Sequence, residues 1–229
     1  MQMKQKLILE GMNDVHVISN LLVAKNLDVT SYEDGVRYKN EFITIGNGKK
    51  GALTALKIAL KTKKMARIGI VIDADSAGEN PALNTWLSIS AILTKNGYKN
   101  LPTEPNPLGT IIQQEEMPQI GIWIMPDNVN QGYLEHFFEQ LIVENDPFLL
   151  EASQITEGFI SRGINRFSPI HLQKAKIRTW LAWQIDPELP MGTALRDYSK
   201  MDFINLDNAV ANQFYNWLRT TFETHVKVI

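Results

Sequence analysis

Along the chain, short continuous apolar runs alternate with longer segments whose apolar residues recur every three or four positions. The runs "KLILE" (residues 6–10), "FITIG" (42–46), "RIGIVID" (67–73) and "IGIWIM" (120–125) read as strands buried on both faces. Between them, "NDVHVISNLLVAK" places Val17, Ile18, Leu21 and Leu22 at helical spacing behind Asn13 as N-cap. "KKGALTALKIALKTKK" (49–64) predicts an amphipathic helix. "PALNTWLSISAILTKNGY" predicts a helix opened by Pro81 and closed by Gly97, and "YLEHFFEQLIVE" (133–144) predicts another. Residues 28–41 are polar and turn-rich, and 100–118 form a proline-rich loop with a short strand at "GTIIQ". Strands alternating with helices predict an α/β domain over residues 1–150: a parallel sheet with helices on both faces. Beyond Leu150 the strand pattern stops. The helices "HLQKAKIRTWLAWQI" and "LDNAVANQFYNWLRTTFETH" make residues 151–229 a C-terminal helical extension, packed on the first part as one compact unit.

Composition narrows the class. With 229 residues and 44% hydrophobic side chains, a sizeable core is expected and disorder is not. The chain has no cysteine, which excludes disulfides and thiolate metal sites and fits a cytoplasmic protein. The start "MQMKQKLILEG" predicts no signal peptide, and no apolar run is long enough to predict a membrane span. There is no internal repeat or low-complexity tract.

Net charge is −2, but it is unevenly spread. From Phe42 to Ile72 there are seven basic residues and no acids, whereas Asp73 to Leu150 carries 11 acids against two lysines. Solvated helix faces are one explanation. A basic strip for phosphates beside an acidic pocket for cations is the other.

Three of the buried strands end in acids: Glu10, the pair Asp73 and Asp75, and Asp127. In open α/β sheets ligands sit outside the carboxyl ends of the strands, so a parallel arrangement gathers these carboxylates along one edge. Alternation in the Asp-Ala-Asp pair points both side chains to one side of an extended segment. Taken singly, each acid also reads as a turn or capping residue, Asp127 before Asn128 most of all. Taken together, four clustered carboxylates call for a cation, and a sulfur-free oxygen set suits Mg²⁺ or Mn²⁺.

At these residues a resemblance emerges. A strand ending in Glu10-Gly11, then a helix, then a strand ending in Asp73-x-Asp75 with Gly78 behind it, resembles the Toprim domain of topoisomerases, bacterial primases and overcoming-lysogenization-defect nucleases. The stretches "GIWIMPDN" (121–128), "GYLEHFFEQLI" (132–142) and "KAKIRTWLAWQ" (174–184) resemble a small bacterial family with a Toprim-like fold. The resemblance implies a divalent metal held by Asp73 and Asp75, with Glu10 as general acid/base or further ligand, acting on a phosphodiester. By position, the further acids of the overcoming-lysogenization-defect type would be Asp14, Asp127 and Glu135, and Lys174 would supply positive charge to the transition state. Asp14 also reads as a helix cap, and Glu135 and Lys174 as exposed helix residues. These 229 residues carry no strand-passage, zinc-binding or ATPase domain, so a protein partner that supplies targeting is expected.

Two other features compete for attention. "GNGKKG" (46–51) matches G-x-G-x-x-G between a strand and a helix, the context of a dinucleotide loop. The following acid fits a ribose contact only loosely, leaving Gly48, Lys49 and Lys50 as a phosphate-binding loop, or a plain glycine turn. Trp180, Trp183, Trp217, Phe214 and Phe222 suit an apolar seam between the C-terminal helices and the sheet better than base stacking. The sequence therefore predicts metal-dependent phosphodiester hydrolysis on nucleic acid. A non-catalytic phosphate- or nucleotide-binding or regulatory protein is the alternative, with a small-nucleotide phosphohydrolase as a third. The near-neutral charge favours the latter two.

Overall fold

The computed structural model describes residues 4–25, 42–74, 79–196 and 202–222. Asp75, Gly78, His225 and the turn-rich stretch 28–41 lie outside the described residues. The strands are β1 (Lys4–Leu9), β2 (Ile43–Ile45), β3 (Met65–Asp73), β4 (Thr110–Ile112) and β5 (Gln119–Met125). They form one sheet in the order β2-β1-β3-β5-β4. The four strands expected from the apolar runs are parallel neighbours, as predicted, while β4 adds an antiparallel edge against β5. The first half supplies helices α1 (Met12–Ala24), α2 (Lys49–Lys61), α3 (Pro81–Lys95) and α4 (Leu134–Gln140). The second supplies α5 (Pro147–Ser161), α6 (Leu172–Ala182), α7 (Met191–Arg196) and α8 (Ala209–Phe222).

Strand alternation divides the core into two layers. Ile8, Ile68, Ile70, Ile72, Ile120 and Ile122 share one layer with buried residues of α2 and α3. Leu7, Leu9, Val71, Trp123 and Met125 share the other with α1, α4 and all the later helices except α5's exposed face. Helices thus cover both faces, as predicted. The C-terminal helices join the same apolar layer as the sheet.

Two glycines in the middle of the sheet explain how α8 lies so close. Gly69 and Gly121 are register partners on β3 and β5. A Cβ on Gly69 would sit 2.7 Å from the Phe222 ring, and one on Gly121 would sit 2.1 Å from Thr221 Oγ1. The paired strand glycines leave a slot into which α8 drops its last turn. Trp217, Phe214 and Phe222 are buried there, with Trp123 meeting Phe214 edge-on at 5.0 Å. This confirms burial for the aromatic seam, except at Trp183. That residue is the C-cap of α6, where the helix face ends, and it stays 38% exposed.

The slot makes a test. Gly121→Ala should lower the melting temperature by overpacking against Thr221, a loss of about 1–3 kcal/mol. Combining it with Thr221→Ser, which removes the Cγ2 methyl, should recover part of the loss. Equal melting temperatures for wild type and Gly121→Ala would show that the slot has slack.

Candidate active site

The carboxyl ends of β1 and β3 are joined through a side chain. Glu10 follows β1, and its Oε1 accepts the Asp73 backbone N–H at 2.8 Å. Asp73 is the last residue of β3, so the two acids expected at this edge are neighbours there, both half-buried. Asp75, the second acid of the pair, lies outside the described residues.

Lys49 reaches the same edge from the first turn of α2. Its Nζ donates to the carbonyls of Asp73 at 2.9 Å and Ala74 at 3.4 Å, and to Thr85 Oγ1 at 2.7 Å. The ammonium therefore ties the end of β3 to α3. The glycine loop before it is accounted for by packing. A Cβ on Gly46 would lie 2.3 Å from Ala52 N, and one on Gly51 would lie 1.7 Å from Gly46 O. Gly48 has φ 101°, a left-handed value that favours glycine, and its N–H donates to Glu10 O at 2.9 Å. Lys50 is exposed on the helix beside it.

A second group of charges lies one layer further in. Asp14, in the first turn of α1, is only 7% exposed, and its Oδ2 accepts the Gly11 N–H at 3.0 Å. That is the capping arrangement expected of the simpler reading. The same carboxylate also feels Glu135 of α4 and Lys174 of α6. Burial is the main cause that pushes Asp14 up from 3.8 to about 6, and Glu135 adds to it, while backbone N–H groups and Lys174 oppose it. Glu135 is 4% exposed. Asp14, Glu135 and Lys174, singled out by position alone, are thus electrostatically coupled in space.

Tyr133 organises this group and was missed by sequence reasoning. Its hydroxyl donates to Ile170 O at 2.8 Å and receives the Lys174 backbone N–H. The Lys174 ammonium sits 5.3 Å from the centre of the Tyr133 ring, within cation–π range. Burial, followed by the charges of Glu135 and Asp73, pushes the Tyr133 phenol up to about 12. Its coupling to both acids links the Glu135 group to the end of β3. The available signal was its place two residues before Glu135, at the helix start.

Asp127 has a different environment. Its Oδ1 accepts the N–H groups of Val129 and Asn130 at 3.1 and 2.8 Å, and Oδ2 accepts Asn130 Nδ2 at 2.7 Å. It caps a turn, and it borders a depression shared with Asn130, His136 and Glu139. His136 is lowered chiefly by burial; its Nδ1 accepts the Tyr133 N–H at 3.3 Å.

The chain belongs to a protein family described as "Protein of unknown function (DUF3226)", whose model matches residues 4–223. No curated protein and no solved structure matches it.

The buried charge of Asp14 gives a pH prediction. The unfolded chain releases this proton near 3.8 and the native chain near 6, so between the two the native state binds more protons. Stability therefore falls as pH rises through that window, and above it the ionised carboxylate costs on the order of 3 kcal/mol. Asp14→Asn keeps an oxygen for the Gly11 N–H and removes the charge. In chelator, the variant should melt higher than wild type above pH ~7 and nearly level with it below pH ~4. Parallel melting-temperature profiles for the two proteins would show that Asp14 does not carry this linkage.

Proposed function

We propose that this chain is a divalent-metal-dependent hydrolase of phosphodiester bonds in nucleic acid, built on a Toprim-like carboxylate edge. One observation carries the reading: acids more than a hundred residues apart at the extremes are linked here, Glu10 after β1 to Asp73 of β3 by a hydrogen bond, and Asp14 of α1 to Glu135 of α4 and Lys174 of α6 electrostatically, with Tyr133 coupled to both Glu135 and Asp73. Glu10 and Asp73 lie at the carboxyl end of the parallel strands, where α/β sheets bind ligands. Glu135 is buried beside Asp14, and the Lys174 charge also acts on Asp14, so buried acid and fixed positive charge share this site.

The donor set fits Mg²⁺ or Mn²⁺. Every candidate ligand is a carboxylate oxygen, which suits a hard cation. Among the described residues no three acids or histidines form a closed cluster, so the shell would include Asp75, water and substrate oxygens. Magnesium characteristically keeps several waters and takes only one or two carboxylates. Glu10, Asp73 and Asp75 would hold one ion, and Asp14 and Glu135 would serve a second. Bound there, the metal supplies charge neutralisation at the phosphate and an activated water. Lys174 contributes a fixed positive charge toward the phosphoryl oxygens, held over the Tyr133 ring. Glu10 keeps the end of β3 in place through the Asp73 N–H. Asp127 is occupied by its turn, which leaves it a supporting part at most.

The glycine loop weighs against a nucleotide-binding module, because packing explains Gly46 and Gly51 and because Lys49 bonds to backbone carbonyls. Among the described residues no helix is long and apolar enough to cross a membrane. A cytoplasmic location and a protein partner that supplies targeting complete the proposal.

Purified protein with Mn²⁺ or Mg²⁺ should cut plasmid, single-stranded DNA or RNA. Glu10→Gln retains an oxygen for the Asp73 N–H and loses only charge, so it should stay folded and lose activity by about 10³-fold or more. Asp73→Asn should do the same. Lys174→Ala should lower kcat by about 10²-fold with KM little changed, as expected of a group that acts mainly in the transition state. Failure to cut any polynucleotide or nucleotide in either metal would give the site to the binding-module reading.

A further inference from the structure

The segment that delivers Lys174 is itself strongly basic. From Gly158 to Ile185 the sequence holds Arg162, Arg166, Lys174, Lys176 and Arg178, with His171, and no acid. In a chain of net charge −2 this is the second acid-free basic stretch, after that from Phe42 to Ile72.

The fold exposes most of these charges. Arg162, Arg166, His171, Lys174 and Arg178 are all exposed. Among the described residues, Lys176 forms an ion pair with Glu139. His171, Lys174 and Arg178 are three and four residues apart, so they form one stripe along α6, across the helix from buried Gln173 and Trp180. At 1.5 Å per residue the stripe spans about 10 Å, the axial length of about three phosphates of one strand. Arg166 lies in the connection that leads into the N-terminal end of this stripe. Arg162 is held in place by its Nε bond to Gly158 O at 2.9 Å and by the Phe159 ring.

One residue of the stripe, Lys174, faces Asp14 and Tyr133. Lys174 is the middle residue of the stripe, which thus passes beside the acids and continues over solvent on either side. A small nucleotide would need only the charge beside the acids. A row of exposed cations matches a repeating anion.

We propose that the α5–α6 connection and the exposed stripe of α6 form a track for the sugar–phosphate backbone of a nucleic-acid strand, leading one phosphodiester to the carboxylate edge. The inference rests on the phosphodiester reading for the identity of the anion, but it is tested without catalysis.

The experiment measures binding of fluorescein-labelled single-stranded DNA, and of RNA of the same sequence, by anisotropy across a salt series in chelator. The probe proteins are wild type, the double variant Arg166→Glu/Arg178→Glu, and Lys57→Glu/Lys61→Glu, which makes the same charge change on α2. Circular dichroism checks each fold. Losing two phosphate contacts should weaken binding about tenfold or more and reduce the salt slope by about 1.4. The α2 variant should bind much nearer to wild type. Equal losses in both variants would assign binding to overall charge and overturn the track, as would wild-type affinity in the Arg166/Arg178 variant or no binding by wild type. A stronger effect for RNA than DNA, or the reverse, would identify the strand. If no metal supports cutting but the Arg166/Arg178 effect holds, the track stands and the hydrolase reading fails. If cutting is seen but the variant binds like wild type, the outcome is the opposite.

Discussion

Like charge held out of water dominates the carboxyl edge of this sheet. Asp14 and Glu135 are each more than nine-tenths buried and sit on different helices. Neither helix would choose such a neighbour for its own stability, because a buried carboxylate beside another is costly until something positive joins them. What holds them there is the apolar layer beneath. Val15, Val17 and Ile18 of α1 pack into the same core as Phe137 and Phe138 of α4. Hydrophobic burial positions the acids, and the acids define what the site must bind. Such a division of labour is expected of functional positions, which depart from local stability rules and are supported by the surrounding structure.

The C-terminal helices are part of that support. Lys174 is placed by Tyr133, whose hydroxyl bridges Ile170 and the Lys174 backbone. Further along α6, Gln173 and Lys176 both bond Glu139 of α4, and Trp180 Nε1 donates to Asp146 Oδ1 at 2.9 Å. Asp146 also caps α5 by accepting Leu149 N–H at 2.7 Å. The helical part that the sequence marks off as an extension is therefore wired to α4 beside the acids. Its removal would take away Lys174, which is coupled to Asp14, as well as the buried aromatic seam.

Much of the sheet was legible because its signal is local. A strand buried on both faces must be apolar throughout, and four such runs, each ending at a helix start, leave few alternatives to parallel packing. The acids at the strand ends followed from the same logic, and Glu10 and Asp73 meet as that logic requires. Helix α5 was missed for a physical reason. Phe148, Leu150, Ile155 and Phe159 are more than a third exposed, while its buried residues are Ala152 and Thr156, so its apolar pattern does not report its packing. Tyr133 could not be recognised from spacing, since its role depends on a helix that follows it by some forty residues. Lys49 and the glycine loop were ambiguous because close packing and phosphate binding ask for the same glycines.

That last ambiguity has a general form. A glycine at the end of a strand can admit a ligand or admit another piece of backbone, and sequence alone does not distinguish them. Here the distances do: the space at Gly46 is filled by Ala52, and that at Gly51 by the Gly46 backbone. The same reasoning applies in the middle of the sheet, where Gly69 and Gly121 admit α8 rather than a substrate. With the glycines assigned to packing, the chemistry must come from side chains that packing does not explain. Glu135 is the clearest of these, a carboxylate 4% exposed whose charge acts on buried Asp14. The surface beyond it, where α6 turns its cations outward, is then the natural continuation of the site.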